Sequence, residues 1–165
     1  MNAQAKETPL HSNLLPPFPG ETWLGHGGTY LGILRGDDGK PYHIVRSKKL
    51  LRGAWGEYGV KVVGADSKND GLANTLAMIE SGSQLAKDAR AVNDDDFDDF
   101  YLASQCELNL AFINDRHNLP EKWIWSSTQF SANYAWVEDF SDGTTPINGK
   151  SNEFLGVAVR RFPVI

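Results

Sequence analysis

The feature that most constrains the fold of this chain is its carboxyl-terminal end, where short β-prone runs alternate with strong turn signals. The dipeptides Asp142-Gly143 and Asn148-Gly149 favour tight turns, and Pro146 between them cannot donate a ladder hydrogen bond. The closing run FLGVAVRRF is rich in β-branched and aromatic residues and predicts a strand. The carboxyl-terminal half is therefore predicted to be β-rich.

A hairpin is predicted near the amino terminus as well. The segments Tyr30 to Arg35 and Tyr42 to Arg46 are β-prone, and the sequence GDDGKP between them is typical of a turn. The following stretch, LLRGAWGEYGVKVV, is predicted to continue as a loop and a short strand.

Two helical segments are predicted between the hairpin and the β-rich end. The first is NDGLANTLAMIESGSQLAKDARAV, which either Asn69 or Asp70 can cap. Leu72, Leu76 and Ile79 share one face of this helix and are expected to reach the core. Gly82 is predicted to bend or split it.

The second helix begins at SQCELNLAFIN. Ser104 and Glu107 have the spacing of a capping box, and Leu108, Ala111 and Phe112 would face the core. Strands at both ends with helices between them predict an α+β fold.

Length and composition limit the class of protein. A chain of 165 residues fits one domain, and 41% hydrophobic residues can fill a core. A net charge of −5 argues against a duplex-DNA binder, despite a local basic cluster of Lys48, Lys49 and Arg52, and no nucleic-acid partner is expected. Cys106 is the single cysteine, so no internal disulfide can form and the sequence fits synthesis in a reducing cytoplasm.

The first twenty residues are predicted to form an arm outside the folded domain. Its prolines oppose both helix and central strand: Pro9, Pro16, Pro17 and Pro19. We therefore divide the chain into a Pro-rich arm, residues 1–20, and a single domain, residues 21–165. The arm has no apolar core of signal-peptide length, and no stretch reaches the roughly 20 apolar residues of a membrane helix. Neither a signal peptide nor membrane insertion is expected.

The acidic run NDDDFDDF is the candidate for a metal site. Asp94, Asp96 and Asp98 occupy the first three ligand positions of a calcium loop, but Asp99 stands where the turn needs Gly and Gln105 where a bidentate Glu belongs. The three aspartates are therefore weak candidates for cation ligands. The histidines are scattered, and the sequence contains no nucleophile elbow, phosphate loop or dinucleotide fingerprint. We expect no cofactor and no enzymatic activity.

The stretch WIWSSTQFSANYAWVEDFSDG, residues 123–143, is the candidate binding surface. Tyr and Trp give large contact area at low entropic cost, and Ser and Asn give adaptable hydrogen bonds, as in a paratope. Alternatively, the aromatic residues lie in the core and the polar ones cover turns. For Trp125, Trp136 and Phe140 we expect the core position. The candidate ligand residues of this stretch are Gln129, Phe130, Ser131, Asn133 and Tyr134.

The same stretch resembles the Lcl C-terminal domain family. Its members have a Y-W-S-S-T motif, a short variable loop, A-W, a strand with F-x-x-G, and a closing strand ending V-R-A-V-R. Here the matching segments are Trp125–Thr128, Ala135–Trp136, Phe140–Gly143 and Val157–Arg161. FYLASQCELNLAF is similar to the family's W-R-L-P-T-x-x-E-L element, with alanine in place of the proline. The resemblance covers residues 97–162.

The resemblance implies a C-type-lectin-like domain with two helices and a β-rich carboxyl-terminal half, preceded by the Pro-rich arm. Such folds display ligands on a loop-rich face near the closing strands. That face, within residues 129–134, 141–150 and 152–154, would add Asp142, Thr144, Asn148 and Asn152 to the candidate ligand residues. The calcium-dependent sugar motifs of true C-type lectins are absent, so a calcium-bridged sugar is not expected.

Many small members of the family are encoded by tailed phages. The resemblance therefore implies a virion protein at a tail tip, fibre or particle surface that recognises a host-surface glycan or protein. It would be made in the host cytoplasm without a signal peptide, the arm would dock it to other virion proteins, and a homotrimer would suit a fibre tip. Two alternatives stay open: an intracellular phage-encoded protein that binds and inhibits a host factor, and an enzyme with an unrecognised site.

Overall fold

The computed structural model describes residues 15–165, so residues 1–14 of the predicted arm lie outside the described part. The element order is β1 (Thr22–Trp23), β2 (Gly28–Arg35), β3 (Pro41–Ala54), α1 (Gly71–Glu80), α2 (Gln84–Arg90), β4 (Tyr101–Leu102), α3 (Gln105–Asp115), β5 (Trp123–Gln129), β6 (Tyr134–Asp139), β7 (Ile147–Gly149) and β8 (Glu153–Pro163). A short 3-10 helix, Arg116–Asn118, follows α3. The predicted α+β architecture is confirmed.

The described strands form one sheet with the order β1-β2-β3-β8-β5-β6-β7, and β4 pairs with β8 beside this path. Neighbouring strands are antiparallel except β5 and β8, which run parallel. The closing strand β8 lies in the middle, where Val157, Ala158 and Val159 are fully buried. A strand covered on both faces is expected to be apolar at consecutive positions, which explains the run of small and β-branched residues.

The predicted hairpin forms as β2 and β3. However, β3 continues to Ala54 instead of ending near Arg46. Its second half, from Leu50 onwards, pairs with β8, so a partner distant in sequence makes a strand where local sequence predicts a loop.

Helices cover the sheet on both faces. The core under α1 and α2 includes Leu51, Trp55, Met78, Leu85 and Trp125. The core under α3 includes Leu31, Ile44, Leu108, Ile124 and Phe140. Because successive strand residues face opposite sides, Ala158 belongs to the first core and its neighbours Val157 and Val159 to the second.

The predicted helix caps and the helix break are confirmed. Asp70 caps α1, because its side chain accepts the N–H of Ala73 at 3.0 Å. Gly82 separates α1 from α2 with a φ of 89°, a conformation that favours glycine. Ser104 and Glu107 form the predicted capping box of α3.

The buried face of α1 agrees with the predicted one only in part: Leu72 and Ile79 are partly buried against the two cores, but Leu76 is not. Leu76 is 48% exposed, whereas Asn74, Thr75 and Met78 are buried. The Thr75 hydroxyl accepts the N–H of Leu102 in β4 at 3.0 Å. The helix therefore docks partly through hydrogen bonds to buried backbone, which hydrophobic periodicity does not reveal.

A buried ion pair joins β3 to the end of α3. Arg46 Nε donates to Asp115 Oδ2 at 2.5 Å, and both side chains are buried. The guanidinium also donates to the Ser47 carbonyl oxygen at 2.9 Å, and Asn118 donates to the second Asp115 oxygen at 2.8 Å. Each charge thus has a partner and a further hydrogen bond, as burial of an ion pair requires.

Candidate functional site

The aromatic residues of the candidate binding stretch divide between core and surface. Trp125 and Phe140 are buried, as predicted. Trp136 is half-buried, so its predicted core position is wrong. It lies on β6, which only the three-residue edge strand β7 separates from the edge of the sheet, and its ring meets that of Phe130 at 5.3 Å between centroids.

Tyr58, Phe130, Tyr134 and Trp136 form a surface that we name the aromatic face. Tyr58 and Phe130 are 51% and 50% exposed, and Tyr134 is also exposed. The rings of Tyr58 and Tyr134 meet edge to face at 6.2 Å, and Phe130 meets Trp136 in the same manner. Exposed aromatic residues that contact one another are typical of interaction sites rather than of an ordinary protein surface.

Three amide side chains lie beside the aromatic face. Asn152 Nδ2 donates to Asn148 Oδ1 at 2.5 Å. A methyl group placed on Gly149 would lie 3.4 Å from Asn152 and 3.8 Å from the Tyr58 ring, which puts these amides beside Tyr58. Asn133 lies in the turn between Phe130 and Tyr134. We name Asn133, Asn148 and Asn152 the amide rim.

Asp142 and Thr144 do not join this surface. They follow the far end of β6, whose six residues span roughly 16 Å from Tyr134 to Asp139. Asp142 Oδ1 accepts the N–H of Thr144 at 2.9 Å and its hydroxyl at 2.7 Å, so the two residues close their own turn. The aromatic face and the amide rim together hold five of the nine predicted ligand residues, and Asp142 and Thr144 lie apart from them.

The side chains of Ser131 and Gln129 make hydrogen bonds within the protein and are not displayed to a ligand. The Ser131 hydroxyl accepts the N–H groups of Asn133 and Tyr134, both at 3.2 Å, and so shapes the turn. Gln129 is buried, so its predicted place on the exposed loop is wrong. Composition placed Gln129 on a loop, but it is the last residue of β5, and its side-chain amide is buried in two hydrogen bonds to the backbone of Val62.

Gln129 and Lys150 form a buried clasp under the segment 57–66. Gln129 Oε1 accepts the N–H of Val62 at 2.8 Å, and its Nε2 donates to the Val62 carbonyl at 2.9 Å. The fully buried Lys150 donates to Gln129 Oε1 and to the Val60 carbonyl, both at 2.7 Å. Its ammonium group lies 4.7 Å from the centre of the Trp55 ring, and burial lowers its pKa to about 8. We name this pair the Gln129–Lys150 clasp.

Replacing Lys150 with Met should loosen the segment 57–66 and leave the sheet intact. Met is unbranched and only one atom shorter than Lys, but it lacks the ammonium group, so the Val60 carbonyl and Gln129 Oε1 both lose a hydrogen bond. We expect backbone amides of the segment, including that of Val62, to exchange with deuterium about tenfold faster or more. Lys61→Met, an exposed lysine of the same segment, is the matched control. Unchanged exchange in Lys150→Met would show that the clasp does not hold the segment.

Tyr58 and Lys150 are the residues of the candidate site that sequence reasoning misses. Tyr58 stands in the sequence GEYG, and an aromatic residue between flexible glycines is a signal that it is displayed on a loop. Lys150 follows Asn-Gly, and a lysine after a turn signal gives no indication of burial.

Asp94 and Asp99 of the acidic run bind side chains of β3 and β8, and the run does not form a cation site. The Asp94 carboxylate accepts the Ser47 hydroxyl at 2.7 Å, and Asp99 accepts two bonds from Arg160 at 2.6 and 3.0 Å. Asp96 and Asp98 are exposed. Within residues 15–165 no group of three or more His, Cys, Asp or Glu residues could hold a metal ion.

Two buried carboxyl groups have raised pKa values. Burial raises the pKa of Glu107 to about 7, and its oxygens accept the Tyr101 hydroxyl at 2.6 Å and the Ser104 N–H at 2.8 Å. These bonds belong to the α3 cap, so the role of Glu107 is structural. Burial raises the pKa of Glu138 to about 8, and neither of its oxygens has a hydrogen-bond partner in the described part of the chain.

Neither the protein-family models nor the curated proteins compared with this chain contain a match to it. No helix in the described range is both long enough and apolar enough to cross a membrane.

Proposed function

We propose that this chain is a binding protein that recognises a host-surface glycan or protein through its aromatic face. The observation that carries the proposal is the contact of Tyr58 with Tyr134, which joins two exposed rings from segments distant in sequence. Tyrosine and tryptophan dominate binding hot spots because they bury large areas at low entropic cost. The amide rim supplies the hydrogen-bonding groups that fix the orientation of a ligand.

Preorganisation supports the same proposal. The Gly59 N–H donates to the Ala132 carbonyl at 3.1 Å, so the two aromatic segments are joined backbone to backbone. The Gln129–Lys150 clasp holds the first segment, and the Ser131 hydroxyl shapes the second. A surface ordered before the ligand arrives loses less entropy on binding than a mobile loop does.

The finer part of the proposal is a C-type-lectin-like domain carried by a phage particle. Its support is the resemblance to the Lcl C-terminal domain family. Three of the four matching segments of the carboxyl-terminal half fall on β5, β6 and β8, and the fourth, Phe140–Gly143, directly follows β6, the strand that carries Tyr134 and Trp136 of the aromatic face. The first test is mass spectrometry of purified particles from a phage that encodes this chain. Its presence at a fixed copy number supports a virion role. Its absence from particles, with abundant protein inside infected cells, overturns that role.

A double variant, Tyr58→Ser with Tyr134→Ser, should weaken binding to the host cell at least tenfold and leave the melting temperature nearly unchanged. Both rings are exposed, so their removal costs contact area with the partner but little core packing. Labelled protein is titrated onto cells of the bacterium that propagates the phage.

Ile113→Ser and Leu24→Ser, two exposed apolar residues outside the aromatic face, are the matched controls. Equal binding by the double variant and the controls would contradict the assignment of the aromatic face. Loss of binding together with a large fall in melting temperature would show instead that the two tyrosines belong to the core.

A further inference from the structure

An open hollow of about 330 Å³ lies at the start of β5 and shares no residue with the aromatic face or the amide rim. Its lining consists of Arg52, Lys122, Trp123, Glu153, Phe154 and Leu155. The hollow thus combines an aromatic pair with charged side chains of both signs.

Trp123 offers a fixed aromatic surface to this hollow. It is 39% exposed, the most exposed tryptophan of the chain, and its ring stands edge to face against Phe154 at 5.5 Å. The indole N–H donates to Asp139 Oδ2 at 2.9 Å, so it is not available to a ligand and it holds the ring in place. What remains for a ligand is the π surface, which favours the stacking of another planar ring.

Arg52 and Lys122 supply positive charge without internal partners. Both side chains are exposed, and neither makes an ion pair or a side-chain hydrogen bond within residues 15–165. Arg52 differs in this from all the other arginines of the described chain, which make at least one such bond: Arg35, Arg46, Arg90, Arg116, Arg160 and Arg161. The hollow therefore presents two cations that are free to pair with an anion, beside the single carboxylate of Glu153.

We infer that the hollow binds a nucleoside phosphate. The base stacks on Trp123, and the phosphate pairs with Arg52, whose planar guanidinium matches phosphate oxygens, and with Lys122. The Glu153 carboxylate accepts hydrogen bonds from amino or hydroxyl groups of the nucleoside.

A single nucleotide fits this site better than a nucleic-acid strand does. A second hollow, about 470 Å³ in volume, adjoins the first through Arg52 and Glu153. Its lining adds Glu57 and Asp88, and this negative charge beside the first hollow disfavours the further phosphate groups of a strand.

The test is calorimetric titration at low ionic strength with three probes: AMP, adenosine and ribose 5-phosphate. AMP carries both ring and phosphate, adenosine lacks the charge, and ribose 5-phosphate lacks the ring. We expect saturable binding of AMP, and binding at least tenfold weaker for each of the other two. Absence of AMP binding at millimolar concentration overturns the inference. Equal binding of either fragment also overturns it, because the site would then use charge alone or stacking alone.

Variants locate the binding and separate it from the proposed function. Lys122→Ala and Arg52→Ala, both exposed side chains, should each weaken AMP binding several-fold, and Trp123→Leu should weaken it about tenfold or more. Lys49→Ala removes an exposed lysine that does not line the hollow and should change nothing. The Tyr58→Ser, Tyr134→Ser double variant should bind AMP normally. AMP binding that survives Lys122→Ala, Arg52→Ala and Trp123→Leu lies elsewhere and overturns the assignment.

Discussion

Replacing Glu138 with Gln is expected to stabilise the protein at about pH 9 and to change its stability little at about pH 4. Glu138 is buried on β6, opposite Ile124 of β5, and its two oxygens lack hydrogen-bond partners within the described residues. Desolvation raises the pKa of this carboxyl from 4.5 to about 8. Gln has nearly the same shape and does not ionise.

The direction in which stability changes with pH follows from the pKa of Glu138 in the unfolded and in the folded protein. Below 4.5 the carboxyl is neutral in both the folded and the unfolded protein, and the full stability is present. As the pH rises from 4.5 through about 8, the unfolded chain loses the proton first, and the free energy of unfolding falls. The total loss is roughly 3–5 kcal/mol, about 8–15 °C in melting temperature for a domain of this size. Glu138→Gln should avoid this loss.

Melting curves across the pH range measure the effect. Glu80→Gln, at an exposed position at the end of α1, is the control and should follow the parent protein at every pH. Parallel curves for Glu138→Gln and the parent would mean that folding does not shift the pKa of this carboxyl. A variant less stable at all pH values would mean that the carboxyl has a partner that Gln cannot replace.

Replacing Asp115 with Ala should lower the free energy of unfolding by about 3–5 kcal/mol. The change leaves the Arg46 guanidinium buried between β3 and α3 without its anion, and it removes an acceptor of Asn118. Urea denaturation measures the effect, and the slope of the transition should stay unchanged.

Two comparisons separate the buried charge from other causes. Lys61→Ala removes one member of the half-exposed pair Lys61–Asp66 and should cost less than about 1 kcal/mol. The double variant Arg46→Met, Asp115→Leu removes both charges together and should be more stable than Asp115→Ala alone. An Asp115→Ala variant as stable as Lys61→Ala would show that Arg46 reaches water when its partner is lost.

The proposed binding function rests on contacts between segments far apart in the sequence. Phe130 and Tyr134 come from the stretch that composition marks as a binding surface, and Tyr58 comes from a glycine-flanked loop far upstream. The Gln129–Lys150 clasp joins these segments from below. The Lys150→Met variant therefore tests how the aromatic face is held in position, and the double tyrosine variant tests its contact with a partner.

Local signals in the sequence determined where α1 and α3 begin and where the first helical segment breaks. A capping box at Ser104 and Glu107, a cap at Asp70 and a break at Gly82 act over a few residues, so the chain specifies them without tertiary contacts. The hairpin turn and the closing strand are specified in the same way by turn residues and β-branched residues.

The tertiary structure alone decided which polar residues are buried and which aromatic residues are exposed. Gln129 and Lys150 are buried because distant backbone groups satisfy them, and no local pattern encodes a partner so far along the chain. Trp136 stays half-exposed because β7, the strand beside it, is a short edge strand. Thr75 can be buried because its hydroxyl accepts a hydrogen bond from the backbone N–H of Leu102 in β4. Composition indicated the stretch around Tyr134 as a binding surface, but only contacts with the distant segment around Tyr58 determine which of its side chains are exposed.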